Sequence, residues 1–384
     1  MKEGLRYLVV GAGMSGAVLA RELATRMDGR VLVVDQRAHL AGNCHTERDK
    51  ATGVMVHEYG PHIFNTNNER VWRYVNEFGN FRSFTNRVKA VTEKGVFSMP
   101  INLHTINQYF GKAFDPGEAR EFVAGLGDTT IGEPKNFEEQ ALKFLGRELY
   151  EAFFLGYTKK QWGVSPRELP ASVLKRLPVR FNYDDCYYDK KYQGIPEEGY
   201  TSVVERMLAH EAIEVRLGET FRASDGEGFS HVFYTGPIDA YFDYEDGRLG
   251  YRTVTFRRHE AEGDHQGNAV LNYPGEEVPY TRVHEHKHFA PWEEHERTVY
   301  FEEYSQETGP EDEPFFPKRL VADKEKLAAY RDRAESLGGV SFLGRLGTYR
   351  YMDMEKVIGE ALEFVDGVVV CGGERIPVFP NEEG

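Results

Sequence analysis

The chain opens with apolar runs separated by glycines, a pattern that predicts a β-α-β unit. An apolar run at residues 7–10 leads into Gly11-Ala-Gly13-Met-Ser-Gly16, a segment with helical spacing follows, and a second apolar run ends on Asp35. Gly11 permits a tight turn, Gly13 lets the backbone approach a pyrophosphate, and Gly16 lets the helix pack closely on the strand. This order predicts a doubly wound α/β domain with a dinucleotide site.

The phosphates of such a ligand would lie at the first turn of the helix, where backbone N–H groups are free and the dipole is positive. Asp35 can accept hydrogen bonds from a ribose diol. The glycines do not distinguish NAD from FAD. Arg37 and the turn at Gly42 favour FAD, whose long body runs over the second strand. A second strand, glycine turn and helix start follow Leu343-Gly-Arg345 and would cap the flavin half, although an ordinary strand-loop-helix also fits.

Two other kinds of region follow from the pattern. Helical spacing over residues 138–153, with few strand signals from 102 to 178, predicts a helical insertion. Alternation over residues 84–100 around a Glu-Lys-Gly turn predicts a hairpin. Residues 229–235 and 367–372 are predicted as buried strands that rejoin the first domain. Four further segments alternate like antiparallel strands: 251–258, 268–273, 281–289 and 297–304.

Composition limits the functional classes. A net charge of −15 over 384 residues argues against a nucleic-acid binder, whose surface is normally basic. Three widely spaced cysteines, Cys44, Cys186 and Cys371, suggest a reducing, cytoplasmic setting rather than a disulfide framework. The first apolar run is too short for a signal peptide, and no apolar stretch approaches the roughly 20 residues of a membrane helix. We therefore expect no nucleic-acid or membrane partner.

Seven motifs in order, between about residue 5 and about residue 365, resemble bacterial UDP-galactopyranose mutase. They are Tyr59-Gly60-Pro-His62-Ile-Phe64, Gly156-Tyr157-Thr158-Lys-Lys-Gln-Trp162-Gly, Pro178-Val-Arg180-Phe-Asn-Tyr, Tyr192-Gln-Gly194-Ile-Pro196, Tyr234-Thr-Gly236-Pro237-Ile-Asp239, Tyr280-Thr-Arg282 and Leu343-Gly-Arg345. Seven motifs in register are far more specific than one glycine fingerprint.

The resemblance implies an α/β protein of three parts. The first is a discontinuous Rossmann-like FAD-binding domain, formed by residues 1–75, 196–245 and 335–384. The second is a helical domain, residues 102–178, with a mobile lid at about 164–178. The third is an antiparallel sheet domain, formed by residues 76–101, 179–195 and 246–334.

The implied activity is a redox-neutral interconversion of UDP-galactopyranose and UDP-galactofuranose. In this family, N5 of reduced FAD attacks the anomeric carbon and expels the nucleoside diphosphate, and the sugar ring opens and recloses before the diphosphate returns. The implied partners are a UDP-sugar, NAD(P)H or another reductant that activates the flavin, and further copies of the chain in a homo-oligomer. The alternatives are a mutase for another NDP-hexose, an FAD-dependent oxidoreductase of the amine-oxidase type, and a non-catalytic nucleotide-sugar binder.

The resemblance also implies roles for individual residues. Arg176, in the lid, and Arg282, on a strand, would bind the diphosphate, since a guanidinium fork holds phosphate oxygens bidentately. The implied substrate-binding residues, with Tyr157 stacking on uracil, are Asn86, Phe153, Phe154, Tyr157, Thr158, Trp162, Tyr187, Asn272, Phe316, Tyr349 and Tyr351. The implied cofactor-binding residues are Gly11, Gly13, Ser15, Gly16, Asp35, Arg37, Gly42, Asn43, Tyr59, Gly60, His62, Asn65, Gly236, Arg345, Tyr351, Asp353 and Met354.

Three positions depart from the family pattern. Asn65 stands where the family has a second histidine, and asparagine cannot take up a proton near neutral pH. Phe316, in Pro314-Phe-Phe316-Pro317, lacks the hydroxyl of a family tyrosine, and Asp35 replaces a glutamate. Separately, alternation along a strand would place three imidazoles of His284-Glu-His286-Lys-His288 on one face. Zinc can use three histidines, but a polar strand face is the simpler interpretation and we expect no metal.

Overall fold

The computed structural model describes residues 6–27, 29–176, 179–318 and 323–381, and for Ser172, Lys175 and Arg176 it describes the backbone alone. The described strands are β1 Arg6–Val10, β2 Arg30–Asp35, β3 Thr46–Arg48, β4 Met55–His57, β5 Phe64–Thr66, β6 Phe81–Ser83, β7 Val88–Thr92, β8 Gly95–Met99, β9 Tyr192–Pro196, β10 Ile213–Leu217, β11 His231–Tyr234, β12 Tyr251–Glu262, β13 Val270–Asn272, β14 Arg282–Glu285, β15 Arg297–Glu307, β16 Phe316–Pro317 and β17 Val340–Phe342. The described α-helices are α1 Met14–Arg26, α2 Glu69–Phe78, α3 Leu103–Phe110, α4 Pro116–Leu126, α5 Phe137–Tyr150, α6 Gly156–Trp162, α7 Gly199–Leu208, α8 Ile238–Tyr241, α9 Asp323–Ser336, α10 Gly344–Gly347 and α11 Met354–Val370.

A parallel sheet in the order β10-β2-β1-β11-β17 carries the amino-terminal glycine loop. Among the adjacent strands of this sheet, β1 and β2 follow each other in sequence, and the other three strands enter from distant segments of the chain. The apolar residues of β1 are buried, as expected for a parallel strand covered on both faces. The predicted Rossmann-like α/β fold and the predicted strand at 229–235 are confirmed.

Helices cover both faces of this sheet. On one face, α1, α7 and α11 share a core that includes Leu19, Val204 and Leu362. On the other face, Tyr330 of α9 packs with Phe342 of β17. Helix α9 falls within the segment expected to belong to the antiparallel domain, yet its buried side chains pack with the parallel sheet.

The predicted strand at 367–372 is wrong, because these residues form the last turn of α11 and the turn after it. Ile358, Leu362 and Val365 of α11 recur at helical spacing and are buried in the core shared with α1. Val370, by contrast, is 89 % exposed. Burial of one helix face outweighs the modest preference of a valine run for strand, and β17 occupies the edge position of the sheet.

A second sheet has the order β16-β12-β15-β14-β13-β7-β8 and is antiparallel except where β13 runs parallel to β7. The hairpin β7–β8 and the predicted antiparallel segments at 251–258, 268–273 and 297–304, which correspond to β12, β13 and β15, are confirmed. The segment predicted at 281–289 is a strand only over β14, Arg282–Glu285. Two smaller sheets have the orders β3-β4 and β5-β9-β6. The predicted helix at 138–153 is observed as α5, which passes through a wider π-helical turn, Glu151–Leu155, into α6.

Two other expectations concern the chain as a whole. The three cysteines, which all lie in described segments, are unpaired. Among the described residues, no helix has both the length and the apolar character needed to cross a membrane.

We predict opposite stability effects for two Gly→Ala substitutions. At Gly16 an added Cβ would lie 1.8 Å from the Gly11 carbonyl oxygen, so Gly16→Ala should lower the free energy of unfolding by at least about 1–3 kcal/mol. Gly367, in α11, has open space around its Cα, so Gly367→Ala should raise it by about 0.5–1 kcal/mol. Denaturant unfolding measures both changes, and a Gly16→Ala protein as stable as wild type would refute the close approach.

Candidate functional site

The glycine loop between β1 and α1 brings three backbones together. Gly11 has φ +107°, and a Cβ there would lie 2.1 Å from Thr235 Oγ1. Gly13 faces Gly42 across a gap so narrow that a Cβ on Gly42 would lie 3.2 Å from the Gly13 Cα. The Ser15 Oγ, in the first turn of α1, is buried without a hydrogen-bond partner. These features form a cradle open to a ligand with acceptor oxygens.

The carboxylate of Asp35, at the end of β2, is partly used within the protein. Its Oδ2 accepts from the Ala12 N–H (2.7 Å), and its Oδ1 accepts from the Arg37 N–H (2.8 Å). Asp35 therefore fixes the glycine loop, while its remaining lone pairs can accept from a ribose. The Arg37 guanidinium donates to Asn43 Oδ1 (2.9 Å) and lies 4.5 Å from the centre of the Tyr59 ring.

A cavity of about 670 Å³ extends from this cradle. Most of the predicted cofactor-binding residues line it: Gly11, Gly13, Ser15, Asp35, Arg37, Gly42, Asn43, His62, Gly236, Arg345 and Met354. The remainder lie outside its lining: Gly16, Tyr59, Gly60, Asn65, Tyr351 and Asp353. Gly16 serves helix packing instead, and the amide of Asn65 donates to the Ile63 carbonyl (3.1 Å).

Two lining residues stand where the cavity approaches the antiparallel sheet. Arg345 donates through Nε and Nη2 to the Met352 carbonyl (3.1 and 2.7 Å) and so shapes the turn before α11. His62 donates through Nδ1 to the Gly60 carbonyl (2.8 Å) in its neutral form. Burial lowers the pKa of His62 to about 4, and the charges of Arg345 and Arg282 act in the same direction. His62 is therefore neutral at physiological pH.

Arg282 is held by a buried carboxylate on the neighbouring strand. Its Nε and Nη2 donate to Glu303 Oε1 at 2.9 and 2.7 Å, and within the described segments no acceptor is bonded to its Nη1. Burial alone would lower the pKa of Arg282, but Glu303 and the Tyr157 phenol outweigh it and raise the pKa above its usual value. The guanidinium thus stays charged and keeps a donor for a ligand. Glu303 was not predicted as a site residue, although the alternation along β15 places it on the same inward face as Phe301.

Aromatic rings surround Arg282. Burial raises the pKa of Tyr157 and Tyr187, and the nearby charge of Arg282 opposes this shift in both. Phe316 lies edge-on to both Trp162 and Tyr351, with ring centres 5.7 and 5.9 Å apart. We call the region that these predicted substrate-binding residues share near Arg282 the aromatic cleft.

Two predicted amides flank the same cleft. Asn272 on β13 pairs in register with Arg282 on β14, and its Oδ1 is buried without a partner. The Oδ1 of Asn86 is also buried and unpartnered, while its main-chain carbonyl accepts from the Tyr187 N–H (2.8 Å). Such unsatisfied buried acceptors are expected where a ligand supplies the missing donor.

Other predicted substrate residues lie in the core. The ring of Phe153 packs against Phe97 and Tyr109, and Phe154 and Thr158 are buried beside it. Tyr349 is 2 % exposed, and its hydroxyl donates to the Gly250 carbonyl (2.7 Å). The described contacts of Phe153 and Tyr349 thus lie within the core, and their role in substrate binding stays a prediction. Both occupy sequence positions next to cleft residues, and local sequence does not show which way a side chain points.

Arg176 is the other predicted diphosphate ligand. Its backbone ends a short 3-10 helix, Ala171–Arg176. Its side chain lies outside the described part of the chain, so its role remains a prediction.

The predicted row of three imidazoles on one strand face is wrong. Strand β14 ends at Glu285, and His286–Phe289 form a 3-10 turn. His284 and His286 are fully buried, whereas His288 lies at the surface side near Asp264. Asp264, Glu285 and His288 cluster closely, but Glu285 accepts from the His265 and Gln266 N–H groups (2.8 Å each). This carboxylate organises a loop.

The parallel sheet, the glycine cradle and its cavity define the Rossmann-like class of nucleotide-binding fold. A family model described as UDP-galactopyranose mutase matches residues 152–351, and a model described as NAD(P)-binding Rossmann-like domain matches residues 9–78. The chain is 52 % identical over 374 residues to a probable UDP-galactopyranose mutase of Klebsiella pneumoniae, with 97 % of each chain covered. It belongs to the UDP-galactopyranose mutase family, whose members are isomerases, and family and fold together point to a flavin cofactor.

Two further similarities define the range of the family. The chain is 50 % identical over 365 residues to the dTDP-fucopyranose mutase of Escherichia coli, covering 93 % of this chain and 97 % of that protein. A crystal structure of reduced UDP-galactopyranose mutase matches with a TM-score of 0.74 at 15 % identity, covering 96 % of this chain and 94 % of that one. At that identity the match shows the fold alone.

We predict that the buried histidines make the protein sensitive to acid. Burial lowers the pKa of His57, His284 and His62, and lowers that of His286 to about 3. In the unfolded chain these groups take up protons below about pH 6.5, whereas the folded chain takes them up only near pH 4 or below. Stability should therefore be full above pH 6.5 and fall between about pH 6.5 and 4, by about 1.4 kcal/mol per pH unit for each histidine.

Denaturant midpoints at several pH values measure this slope. His286→Asn keeps an acceptor for the His57 N–H, which now donates to His286 Nδ1 (3.2 Å), and should flatten the slope. Carboxylates with lowered pKa, such as Glu285 at about 2, lose their contribution in a more acidic window. An unchanged slope in His286→Asn would contradict the prediction.

Proposed function

We propose that the protein interconverts the pyranose and furanose forms of a nucleoside-diphosphate hexose, with UDP-galactose as the first candidate, using reduced FAD. One observation carries this proposal: a charged arginine, fixed by Glu303 on the neighbouring strand, lies near predicted substrate-binding tyrosines. His62 lines the dinucleotide cavity, and its pKa is lowered mainly by burial and in part by the charge of Arg282.

The residues of the cavity fit FAD. Because Gly13 and Gly42 carry no side chains, a pyrophosphate can approach the backbone beside them. The buried Ser15 Oγ has no hydrogen-bond partner. The cavity continues past Arg345 to Met354 at the start of α11, whose free N–H groups favour a second anionic or polar group. When bound and reduced, the flavin supplies a nucleophilic nitrogen, N5, for the anomeric carbon. NAD(P)H or another donor would provide the electrons.

The protein's own residues then have three tasks. Arg282 holds the diphosphate and stabilises its charge as the bond to the sugar breaks, and Arg176 would add a second guanidinium from the lid. Tyr157 offers a ring for the base, since stacking contributes roughly 1–3 kcal/mol. Asn86 and Asn272 offer acceptors to hydroxyl or ring N–H groups. None of these tasks needs a protein acid or base, and His62 is accordingly neutral.

A second substrate, a dTDP-linked 6-deoxyhexose, is the alternative. The similarity to a dTDP-fucopyranose mutase is nearly as high as that to the galactopyranose relative. Phe316, without a hydroxyl, makes this part of the cleft less polar. Both substrates share the diphosphate and the ring contraction, so Arg282 has the same task in each.

An anaerobic assay tests the proposal. We expect purified protein to release FAD on heating, and dithionite-reduced protein to convert UDP-galactofuranose to UDP-galactopyranose with no net loss of reductant. Parallel reactions with dTDP-fucofuranose identify the preferred substrate. Net oxidation of a donor would favour an amine-oxidase-type enzyme, and tight binding without turnover a binding protein. Full turnover by rigorously oxidised protein would contradict the proposed role of the flavin.

We predict that Arg282→Ala lowers kcat/KM by at least about 100-fold without changing flavin content. A charge-assisted hydrogen bond contributes roughly 1.5–3 kcal/mol to binding, and stabilisation of the departing diphosphate adds to this. Arg282→Lys should restore activity only in part, because an ammonium cannot form the two-pronged contact. Arg297→Ala is the matched control, since Arg297 lies on β15 but pairs with Glu260 at the surface (2.7 Å). Equal losses in both variants would refute a specific role.

A further inference from the structure

The ammonium group of Lys160 lies within a ring of backbone carbonyls. Its Nζ donates to the carbonyl oxygens of Tyr273 (2.7 Å), Gly275 (2.5 Å), Val278 (3.1 Å) and Tyr280 (2.9 Å). A lysine has three N–H donors, so four acceptors at these distances share them and surround the charge. We call these four carbonyls the carbonyl ring.

All four carbonyls belong to the connection between β13 and β14, residues 273–281. The strands on either side carry the candidate ligands of the cleft: Asn272 ends β13 and Arg282 begins β14, and the two pair in register. Lys160 itself lies on α6, one turn after Tyr157 and two residues before Trp162. A single side chain therefore connects the helix with the aromatic residues to the connection between the two polar ones.

Other contacts fix the position of α6 relative to the connection of residues 273–281. A Cβ on Gly156, the first residue of α6, would lie 2.4 Å from the Pro274 carbonyl oxygen, so helix and connection are in close contact. At the other end of α6, the buried Arg252 donates to the Gln161 and Lys160 carbonyls (3.2 Å each). The helix cannot shift along its axis without breaking these bonds.

The chemistry of the ring selects an ammonium. Burial lowers the pKa of Lys160 to about 8, and the carboxylates of Glu277 and Glu276 oppose this. Four carbonyl dipoles directed at Nζ also favour the charged form, so the group is protonated at neutral pH. A compact ammonium can satisfy acceptors that converge on one point, whereas the planar guanidinium of arginine cannot.

We propose that Lys160 is a positioning residue for the nucleotide end of the cleft. Through the carbonyl ring, it holds Asn272 and Arg282 at the correct distance from Tyr157 and Trp162. This inference rests on the proposed function, because it assigns the base and the diphosphate to those residues. Lys160 contacts the connection and not the reacting atoms, so its loss should weaken nucleotide binding and raise KM more than it lowers kcat.

Lys160→Met and its neighbour Lys159→Met form a matched pair. Lys159 lies on the same helix and bridges to the same connection, at Glu276 (2.7 Å), but both side chains are about half exposed. Such surface ion pairs contribute little to the free energy of unfolding. Titration calorimetry with UDP and with dTDP, on protein with full flavin content, gives Kd. We expect Lys160→Met to raise the Kd of the preferred nucleotide at least tenfold and KM in parallel, with kcat within about threefold, and Lys159→Met to stay within twofold.

Lys160→Arg is a second variant in case Lys160→Met does not fold, because arginine keeps the charge and most of the aliphatic stem. We expect it to raise the Kd three- to tenfold while melting near the wild-type temperature. If the folded variants at position 160 bind nucleotide within twofold of wild type, the inference is overturned. Wild-type protein that binds neither UDP nor dTDP would instead overturn the proposed function.

Discussion

A guanidinium in a protein interior needs a carboxylate beside it, because removing either partner leaves a buried charge that costs several kcal/mol. Glu303 is this carboxylate for Arg282, and the pair affects the groups around it. Thr281 donates to the same carboxylate (3.3 Å). Burial lowers the pKa of His284 and His62, the charge of Arg282 acts in the same direction, and both stay neutral. The register of two paired strands therefore fixes the position of the Arg282 guanidinium and of its counter-ion Glu303.

The cradle and Arg282 belong to two different sheets. In an open parallel sheet, ligands bind beyond the carboxyl ends of the strands, and the cradle of β1 and β2 lies at that edge. Arg282 comes from the antiparallel sheet, whose side chains alternate and can present one residue to the cleft while burying the next. The segment between them contains Gly60, with φ +87°, where a Cβ would lie 3.1 Å from the Phe256 ring. Close approach at Gly60 lets His62 reach the cavity.

Local order in the sequence made the nucleotide half predictable. Strand, glycine loop, helix and Asp35 lie within the first 35 residues, and each has a short-range physical cause. The failures have longer-range causes. The valines of residues 368–370 favour strand locally, but the face of α11 that packs on α1 decides their state. The imidazoles of residues 284–288 alternate in sequence, but β14 ends before the alternation is complete.

Side-chain direction and backbone acceptors leave even less trace in a sequence. Phe153 and Tyr157 are one helical turn apart, yet Phe153 packs in the core while the Tyr157 phenol lies close enough to Arg282 for the charge to affect its pKa. The partners of Lys160 are carbonyls, which every residue possesses, so no residue type identifies the ring that they form. Glu303 gave a weak signal as a carboxylate at an inward-facing strand position. Its importance follows only from the register of β15 with β14.

Two of the three departures from the family pattern, Phe316 and Asn65, have distinct physical settings. Phe316 is buried against Trp162 and Tyr351, so its ring still forms a wall of the cleft although the hydroxyl is absent. Asn65 lies on β5, where its amide is held by a local carbonyl. It cannot exchange a proton near neutral pH, and His62 is neutral as well. Under the proposed function, negative charge on a bound dinucleotide or diphosphate would therefore be met by permanently charged arginines, and the charge of this site should not depend on histidine protonation at physiological pH.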